Sequence, residues 1–403
     1  MLYLKLAWRN IWRNRKRTWI TASSIGFAVF FATIMQSMQL GSYERMIDNS
    51  VRFYTGHLAI HQNEYWEEKI LDNGFDQTSL TEIEIQNDAI DVAVPRLTSF
   101  ALASYGGKTK GVLANGVDPV LEDRLTYLEN KLVAGSYLTG KGVLLATGLA
   151  EYLKINVGDT IVFISQGYHG VNAAGKYLVE GILKFPVPEL NQNAVYFPLP
   201  LAQTFFGAEG IITSYSMLMK KPEKLAKVQG FMDKSIKGSE LAVMNWEEMM
   251  PELIQGIELD YYGGLIMIYI LYAVIGFGIF GTFLMMTKER TYEFGILVSI
   301  GMKKKKIQYM VALEILMLTF FGVVLGIVTS FPVTLYFFYN PIEFTGEAAK
   351  AYENFGYEPI IPFSLDAAVF YSQGLIVLLI SVFLGIYPMA AIKRLKIIKA
   401  LKE

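Results

Sequence analysis

The 403-residue sequence contains no cysteine. That excludes a disulfide framework, a thiol nucleophile and a thiolate metal site. Histidine is nearly as scarce, with only His57, His61 and His169. His57 and His61 bracket "LAI", whose alternation reads as a strand. Residues four apart on a strand lie ~13 Å from each other, too far to share one ion. No Ser/His/Asp arrangement or carboxylate pair stands out by spacing, so the sequence does not read as an enzyme. Charge is thin as well: charged residues make up 18% and the net charge is −1, which gives no bulk attraction to nucleic acid. Heptad repeats, low-complexity tracts and long flexible linkers are also missing.

What is abundant is apolar sequence. Hydrophobic residues reach 53% and mean hydropathy is +0.33, the balance of a chain partly buried in lipid. A membrane span needs ~20 apolar residues. The runs at 18–43, 261–287, 307–339 and 367–392 are all long enough, and Glu314 is the only charged residue in them. The first is too long for the apolar core of a signal peptide, and no small-residue cleavage site with polar sequence follows it.

Charge between the runs sets an orientation. Lys5, Arg9, Arg13, Arg15, Lys16 and Arg17 precede the first run, and no acid occurs before Glu44. The middle loop carries Lys288, Arg290 and Lys303 to Lys306, and the tail carries Lys393, Arg394, Lys396, Lys399 and Lys402. The loop after the third run is acidic instead. The positive-inside rule then places both termini and the middle loop in the cytoplasm. The expected organisation is an interfacial helix at 1–17, spans at 18–43, 261–287, 307–339 and 367–392, and an extracytoplasmic α+β domain at 44–260. A cytoplasmic loop at 288–306, an extracytoplasmic loop at 340–366 and a cytoplasmic tail at 393–403 complete it.

The N-terminal segment reads as an amphipathic helix with Leu4, Trp8, Ile11 and Trp12 on one face and Lys5, Arg9, Arg13 and Lys16 as a basic stripe. Trp8, Arg9, Trp12, Arg13 and Arg17 are expected to anchor it at the membrane interface. In the 44–260 region, "GHLAIH", "GDTIVFIS" and "KYLVEGILKF" read as strands, and "PEKLAKVQGFMDKSI" reads as a helix opened by Pro222. The segment "GSYLTGKG" nearly matches a phosphate-binding loop, but Gly142 stands where a magnesium-binding hydroxyl is needed and a strand-like "VLLA" follows. A turn between strands is expected there.

The middle loop predicts a short helix from Glu289 to Ile300. Tyr292, Ile296 and Ile300 share a face with Phe294 and Leu297 at its edge. Glu289 and Glu293 suit the N-terminal end, and Gly301 can end the helix in the left-handed conformation. Such a helix could lie on the bilayer or seat in a groove of a cytoplasmic partner, and periodicity leaves both open. Glu314, about two turns inside the third run, is either a functional intramembrane acid or an interfacial acid paired with Lys or Arg. "GVVLG", with Gly322 and Gly326, offers a close-approach surface for another helix.

The segment "ERTYEFGILVSIGMKKKKIQYMVALE" resembles the signature of the FtsX-like permeases, the MacB/LolC/LolE class of ABC transporter membrane subunits. Glu289, Arg290, Glu293, Gly295, Ile296, Leu297, Gly301, Ile307 and Glu314 carry the match. "LAWRNIWRNRKRTWITASSIG" is similar to the family's opening through Arg9, Asn10, Arg13, Asn14, Arg17, Thr18 and Gly26. "LVAGSYLTGKGVLLATGLAEYLKINVGDTIVF" resembles its periplasmic core through Gly135, Gly142, Leu149, Ala150, Gly158 and Asp159. The likeness covers essentially the whole chain.

The resemblance implies a non-catalytic permease subunit of the inner membrane that pairs with a second permease, as homo- or heterodimer, and binds a separate cytoplasmic ABC ATPase. No cofactor is expected on this chain, with ATP and Mg on the partner. The helix carrying Glu289, Arg290, Glu293, Phe294, Gly295, Ile296, Leu297 and Gly301 would couple ATP hydrolysis to the extracytoplasmic domain. Without a fused ATPase the chain looks more like LolC and LolE than MacB, so lipoprotein extraction, with handover to a periplasmic carrier, is the leading expectation. The strand-connecting "SQGYHGVNAAGK" lacks the proline of the LolC carrier hook and reads as a glycine-rich hairpin. Export of amphipathic peptides or drugs, or non-transporting activation of cell-wall hydrolases, are the alternatives.

Overall fold

The computed structural model describes residues 2–79, 88–354 and 358–395. They fall into two compact units, one of Met1–Glu44, Gly256–Glu343 and Ile360–Glu403 and one of Arg45–Gln255 with Phe344–Pro359. Lys396, Lys399 and Lys402 of the expected tail lie outside the described residues.

The first unit is helical. It comprises α1 (Leu2–Arg13), α2 (Arg15–Ser50), α3 (Pro251–Glu289), α4 (Thr291–Ser299), α5 (Lys304–Tyr339), α6 (Ala367–Leu384) and α7 (Ile386–Lys393). Among the described residues, four stretches are long and apolar enough to cross a membrane: Arg15–Thr55, Pro251–Glu289, Lys304–Tyr339 and Ala367–Lys393. The helices α2, α3 and α5 outrun their apolar runs, whereas α6 stops at Leu384 inside the fourth run and α7 takes up the rest. Hydropathy marks the lipid-compatible part, whereas a helix continues until a breaker or cap stops it. Pro251 opens α3, where its missing N–H costs nothing.

Glycines set how α2 meets α5. A Cβ added at Gly322 would lie 2.7 Å from Ile25 Cβ, and one at Gly326 would lie 2.6 Å from the Gly26 carbonyl oxygen. Contacts at 322 with 25 and at 326 with 26 advance in step, so α2 and α5 run parallel. Farther along, Tyr272 of α3 donates to Gln373 of α6, which donates to Gln36 of α2. Buried amides and hydroxyls in lipid need such partners.

The second unit is a mixed ten-stranded sheet with helices against it. Its strands are β1 (Leu58–Gln62), β2 (Ile90–Tyr105), β3 (Lys108–Val117), β4 (Leu132–Gly135), β5 (Gly142–Ala146), β6 (Thr160–Gln166), β7 (Asn172–Leu183), β8 (Ala194–Pro198), β9 (Ser214–Met219) and β10 (Leu241–Asn245). The order is β10-β1-β9-β2-β3-β8-β5-β7-β4, with β6 pairing β2 and β7. Gly106 and Gly107, both with positive φ, form the two-residue turn that joins β2 to β3 in a register pairing Tyr105 with Lys108. Leu97, Ala101, Val112, Leu145, Phe163 and Phe197 are fully buried at its centre.

Arg96 of β2 ties the start of this unit to its sheet. It pairs with buried Glu122 through Nε at 3.0 Å and Nη2 at 2.7 Å, and its Nη1 donates to the Tyr54 carbonyl at 2.9 Å. Tyr54 belongs to a π-helical turn, Val51–Thr55, that follows α2. Burial alone would lower the Arg96 pKa, but the Glu122 charge and hydrogen bonds hold it above its usual value. Residues 344–359 join the same unit, where Glu358 accepts from Arg45 Nε and Asn49 Nδ2, each at 2.9 Å.

Candidate functional site

The helical unit gathers its charges where α1, α4 and the first turns of α5 meet. α3 ends at Glu289, and Arg290 breaks the helix with φ −102° before α4 begins. Arg290 is 4% exposed and Glu314 is 1% exposed. Arg290 Nη1 donates to Glu314 Oε2, while Asn10 Nδ2 of α1 donates to Glu314 Oε1 at 2.6 Å. Both carboxylate oxygens are therefore satisfied. That is the condition under which a buried ion is tolerated.

Glu293 extends the network outward. It accepts from Arg290 Nε at 3.2 Å and from Arg13 Nη2 at 2.5 and 2.7 Å. Burial pushes the Glu293 carboxyl up, but hydrogen bonds from Arg13 and Arg290 outweigh it and hold it below the usual carboxylate range. Arg17 Nη1 lies 3.9 Å from Glu289. The Arg290 guanidinium stands 5.1 Å from the Phe294 ring centre, within cation–π range.

The apolar residues of α4 divide differently from the expected pattern. Tyr292, Ile296 and Ile300 do share a face, but Tyr292 and Ile300 are exposed and Ile296 is half-buried. Phe294, expected at the edge of that face, lies on the opposite side with Gly295, both buried. Phe294 packs in a cluster with Ile11, Phe283, Ile307 and Val311. The reason is that α4 is apolar on two sides, and the bulkier aromatic contact takes the bundle side. Leu297 is half-buried. After Ile300, Gly301 at φ +99° and Met302 donate to Val298 and Leu297, a Schellman ending that satisfies those two carbonyls.

The α1 residues divide between exposed and packed positions as well. Leu4, Trp8 and Arg9 are exposed, but Ile11 is buried and Trp12 half-buried. Asn10 of the same helix hydrogen-bonds into α5, and Trp12 stacks edge-on against Phe321 there. One side of α1 is a packing surface of the bundle. Arg13 and Arg17 face Glu293 and Glu289. Periodicity missed this because the partners lie some 270 or more residues away in sequence. The signals available were the solitary Glu314 and Asn10 beside Arg9.

The near-match to a phosphate loop lies between β4 and β5. Glu180 of β7 occupies it, accepting from the Thr139 backbone N–H at 2.8 Å and from the Thr139 hydroxyl. A carboxylate there uses the donors that a phosphate would need and repels an anion. A Cβ on Gly142 would lie 2.5 Å from the Leu178 carbonyl oxygen and 2.6 Å from Glu180 Cγ, so close packing explains this glycine. His61 lies on β1, fully buried, and His57 stands just before it with Nδ1 3.2 Å from the Met219 N–H. Burial lowers both imidazole pKa values. Among the described residues no group of three or more His, Cys, Asp or Glu is placed to hold a metal. "SQGYHGVNAAGK" forms the β6–β7 hairpin, turned through Tyr168–Gly170.

Comparison with known proteins covers both units. Residues 18–234 match the family model of the MacB-like periplasmic core domain, and residues 265–397 match that of the FtsX-like permease C-terminal region. A curated relative is the "Lipoprotein-releasing system transmembrane protein LolC" of Neisseria meningitidis serogroup B, 21% identical over 246 residues. The alignment covers 59% of this chain and 59% of that protein's length. Among solved structures, the periplasmic region of MacB from Actinobacillus actinomycetemcomitans aligns at 14% identity and TM-score 0.36, covering 53% of this chain and 98% of that one. The extracellular domain of the Gram-positive transporter YknZ aligns at 16% identity and TM-score 0.32, covering 47% of this chain and 99% of that one.

Proposed function

Because the chain belongs to the MacB/LolC/FtsX class of ABC transporter permeases, a multi-pass inner-membrane family without catalysis of its own, we propose that α4 receives force from a separate cytoplasmic ABC ATPase. The observation that carries this reading is the double tether of α4. Arg290 and Glu293 bind it to Glu314 of α5 and Arg13 of α1, while the Tyr292–Ile296–Ile300 stripe stays on its outward side. A helix held by charge on one side and apolar on the other fits a groove on a partner. ATP and Mg²⁺ would sit on that partner, with this chain supplying no ligand.

In this reading both termini and α4 face the cytoplasm, as the lysine and arginine distribution supports, and the ten-stranded unit lies outside. Unbroken α2 and α3, 36 and 39 residues long, would carry displacement outward. A second permease would complete a dimer. The substrate reading is extraction of lipoproteins from the membrane, supported by the relative named for lipoprotein release. The β6–β7 hairpin turns through Tyr168–Gly170 without proline, unlike the carrier hook of LolC. The proposal is therefore extraction without a hook on this subunit.

Purification in mild detergent with the partner ATPase and no nucleotide tests the substrate. Acylated protein should co-elute and leave on ATP addition. Recovery of a cell-wall hydrolase instead, or drug resistance conferred on expression, would replace lipoprotein extraction with one of the other two activities.

A further inference from the structure

The ten-stranded unit carries a pocket that has no part in receiving force at α4. It is open and has a volume of about 370 Å³. Lys220, Lys221, Lys224 and Lys227 line it together with Val228 and Phe231. The remaining lining residues are Ala89 and Asp88, whose backbone carbonyl accepts from Lys220 Nζ at 3.4 Å. Among the described lining residues, four cations thus face one carboxylate. Among the described residues, none of the four lysines forms an ion pair.

The local fold explains the clustering. Lys220 and Lys221 follow the end of β9, and a 3₁₀ turn, Pro222–Lys224, leads into the helix Leu225–Ser235. Lys227 and Phe231, four apart, lie on one side of that helix, and Lys224 stands at its N-cap. Val228 and Met232 turn inward and are buried, anchoring the helix on the sheet. Phe231 is left 51% exposed, an aromatic ring at a pocket wall with ammonium groups around it. The first turn of the helix adds the positive end of its dipole.

We infer that this pocket is a docking site for an acidic peptide segment of a partner protein, one apolar side chain of which sits on Phe231 while flanking carboxylates meet Lys220, Lys221, Lys224 and Lys227. The volume sets the class of ligand. It is at the small end for ligand sites and accommodates one or two side chains, not an acyl chain with its headgroup. The cations are all lysines. Ammonium groups on flexible stems act as separate point charges and can each meet a different carboxylate of one segment, with no bidentate arginine fork to fix a single planar group. The lysine stems and Phe231 provide the apolar wall beneath the charges.

The test uses the full chain in nanodiscs of uncharged phosphatidylcholine. The probe is a fluorescein-labelled eight-residue peptide of aspartates and glutamates around one phenylalanine. Anisotropy should report saturable binding that weakens at least tenfold in Lys224→Glu/Lys227→Glu. Phe231→Ala should weaken binding of this peptide and leave binding of its Phe-to-Ala counterpart unchanged. Lys224, Lys227 and Phe231 are exposed, so circular dichroism should confirm unchanged folding in each variant. Equal binding by wild type and the double variant overturns the proposal. Equal binding of the two peptides to wild type reduces it to unspecific charge attraction and overturns it too. Preference for phosphatidylglycerol vesicles that is lost in the double variant, with no peptide binding, would make the site a lipid site and overturn it as well.

Discussion

Arg290 and Glu314, 24 residues apart in sequence, form an ion pair inside the helical unit, and both side chains are buried. One residue sits at the break between α3 and α4, and the other two turns and more into α5. The pair therefore fixes where α4 hangs from the bundle, and Asn10 brings α1 into the same arrangement.

Removing one partner should hurt more than removing both. Glu314→Leu strips Arg290 Nη1 of its buried carboxylate and leaves only the more exposed Glu293 on Nε, a loss of up to ~3–5 kcal/mol by comparison with buried pairs. Arg290→Met with Glu314→Leu should recover most of the lost melting temperature in nanodiscs, because the interior then holds no unpaired charge. If the double variant melts as low as Glu314→Leu, the pair is not the reason these residues occur together.

Glu293→Lys and Gly295→Trp test the tether and the packed side of α4. The first places a cation between Arg13 and Arg290, and the second forces a large ring into a buried position. Both should abolish substrate-stimulated ATP turnover by the partner while the chain still inserts. Acid should mimic the first. Because the Glu293 carboxyl is held below its usual range, the tether is complete above the ordinary carboxylate pKa and is lost as pH falls through the lower folded value. Stimulated turnover that is unchanged in both variants removes α4 from the mechanism.

Glycine positions in the bundle should separate by contact. Gly326→Ile drives a side chain into the Gly26 carbonyl and Val29 and should lower the melting temperature by several degrees. Gly281→Ala is the control, since its added methyl meets nothing within 4 Å. It should be neutral or slightly stabilising. Equal effects would mean that α2 and α5 do not approach at Gly326.

Gly142→Ser completes the phosphate-loop pattern on paper. The added atoms meet the Leu178 carbonyl and Glu180, and Glu180 still occupies the loop. Lower thermal stability and no protection by Mg-ATP are expected. ATP-dependent stabilisation of this variant would show that the loop accepts phosphate after all.

Much of this fold was legible in one pass along the chain. Apolar runs mark the long helices, alternation marks β1, β6 and β7, and Gly301 marks the end of α4. The helix lengths were not legible from hydropathy. Residues 44–50 of α2 are polar yet contain no breaker, so the helix continues past the apolar run. Nor was the pairing of Arg13 and Arg17 legible. A basic stripe looks the same whether it meets phosphates or carboxylates, and the partners arrive from distant loops. Glu314 was conspicuous as a lone acid, but only the fold supplies Arg290 and Asn10 on its two oxygens. The same holds for Glu358, whose partners Arg45 and Asn49 share no sequence pattern with it.

The absence of cysteine makes one measurement especially clean. Tyr292→Cys on the exposed side of α4 and Lys154→Cys on the surface of the ten-stranded unit can each be labelled with a membrane-impermeant maleimide in sealed right-side-out vesicles. Labelling of Lys154→Cys at once, and of Tyr292→Cys only after permeabilisation, is the predicted result. Immediate labelling of both would put α4 and the sheet in the same aqueous space and contradict transfer of force across the membrane.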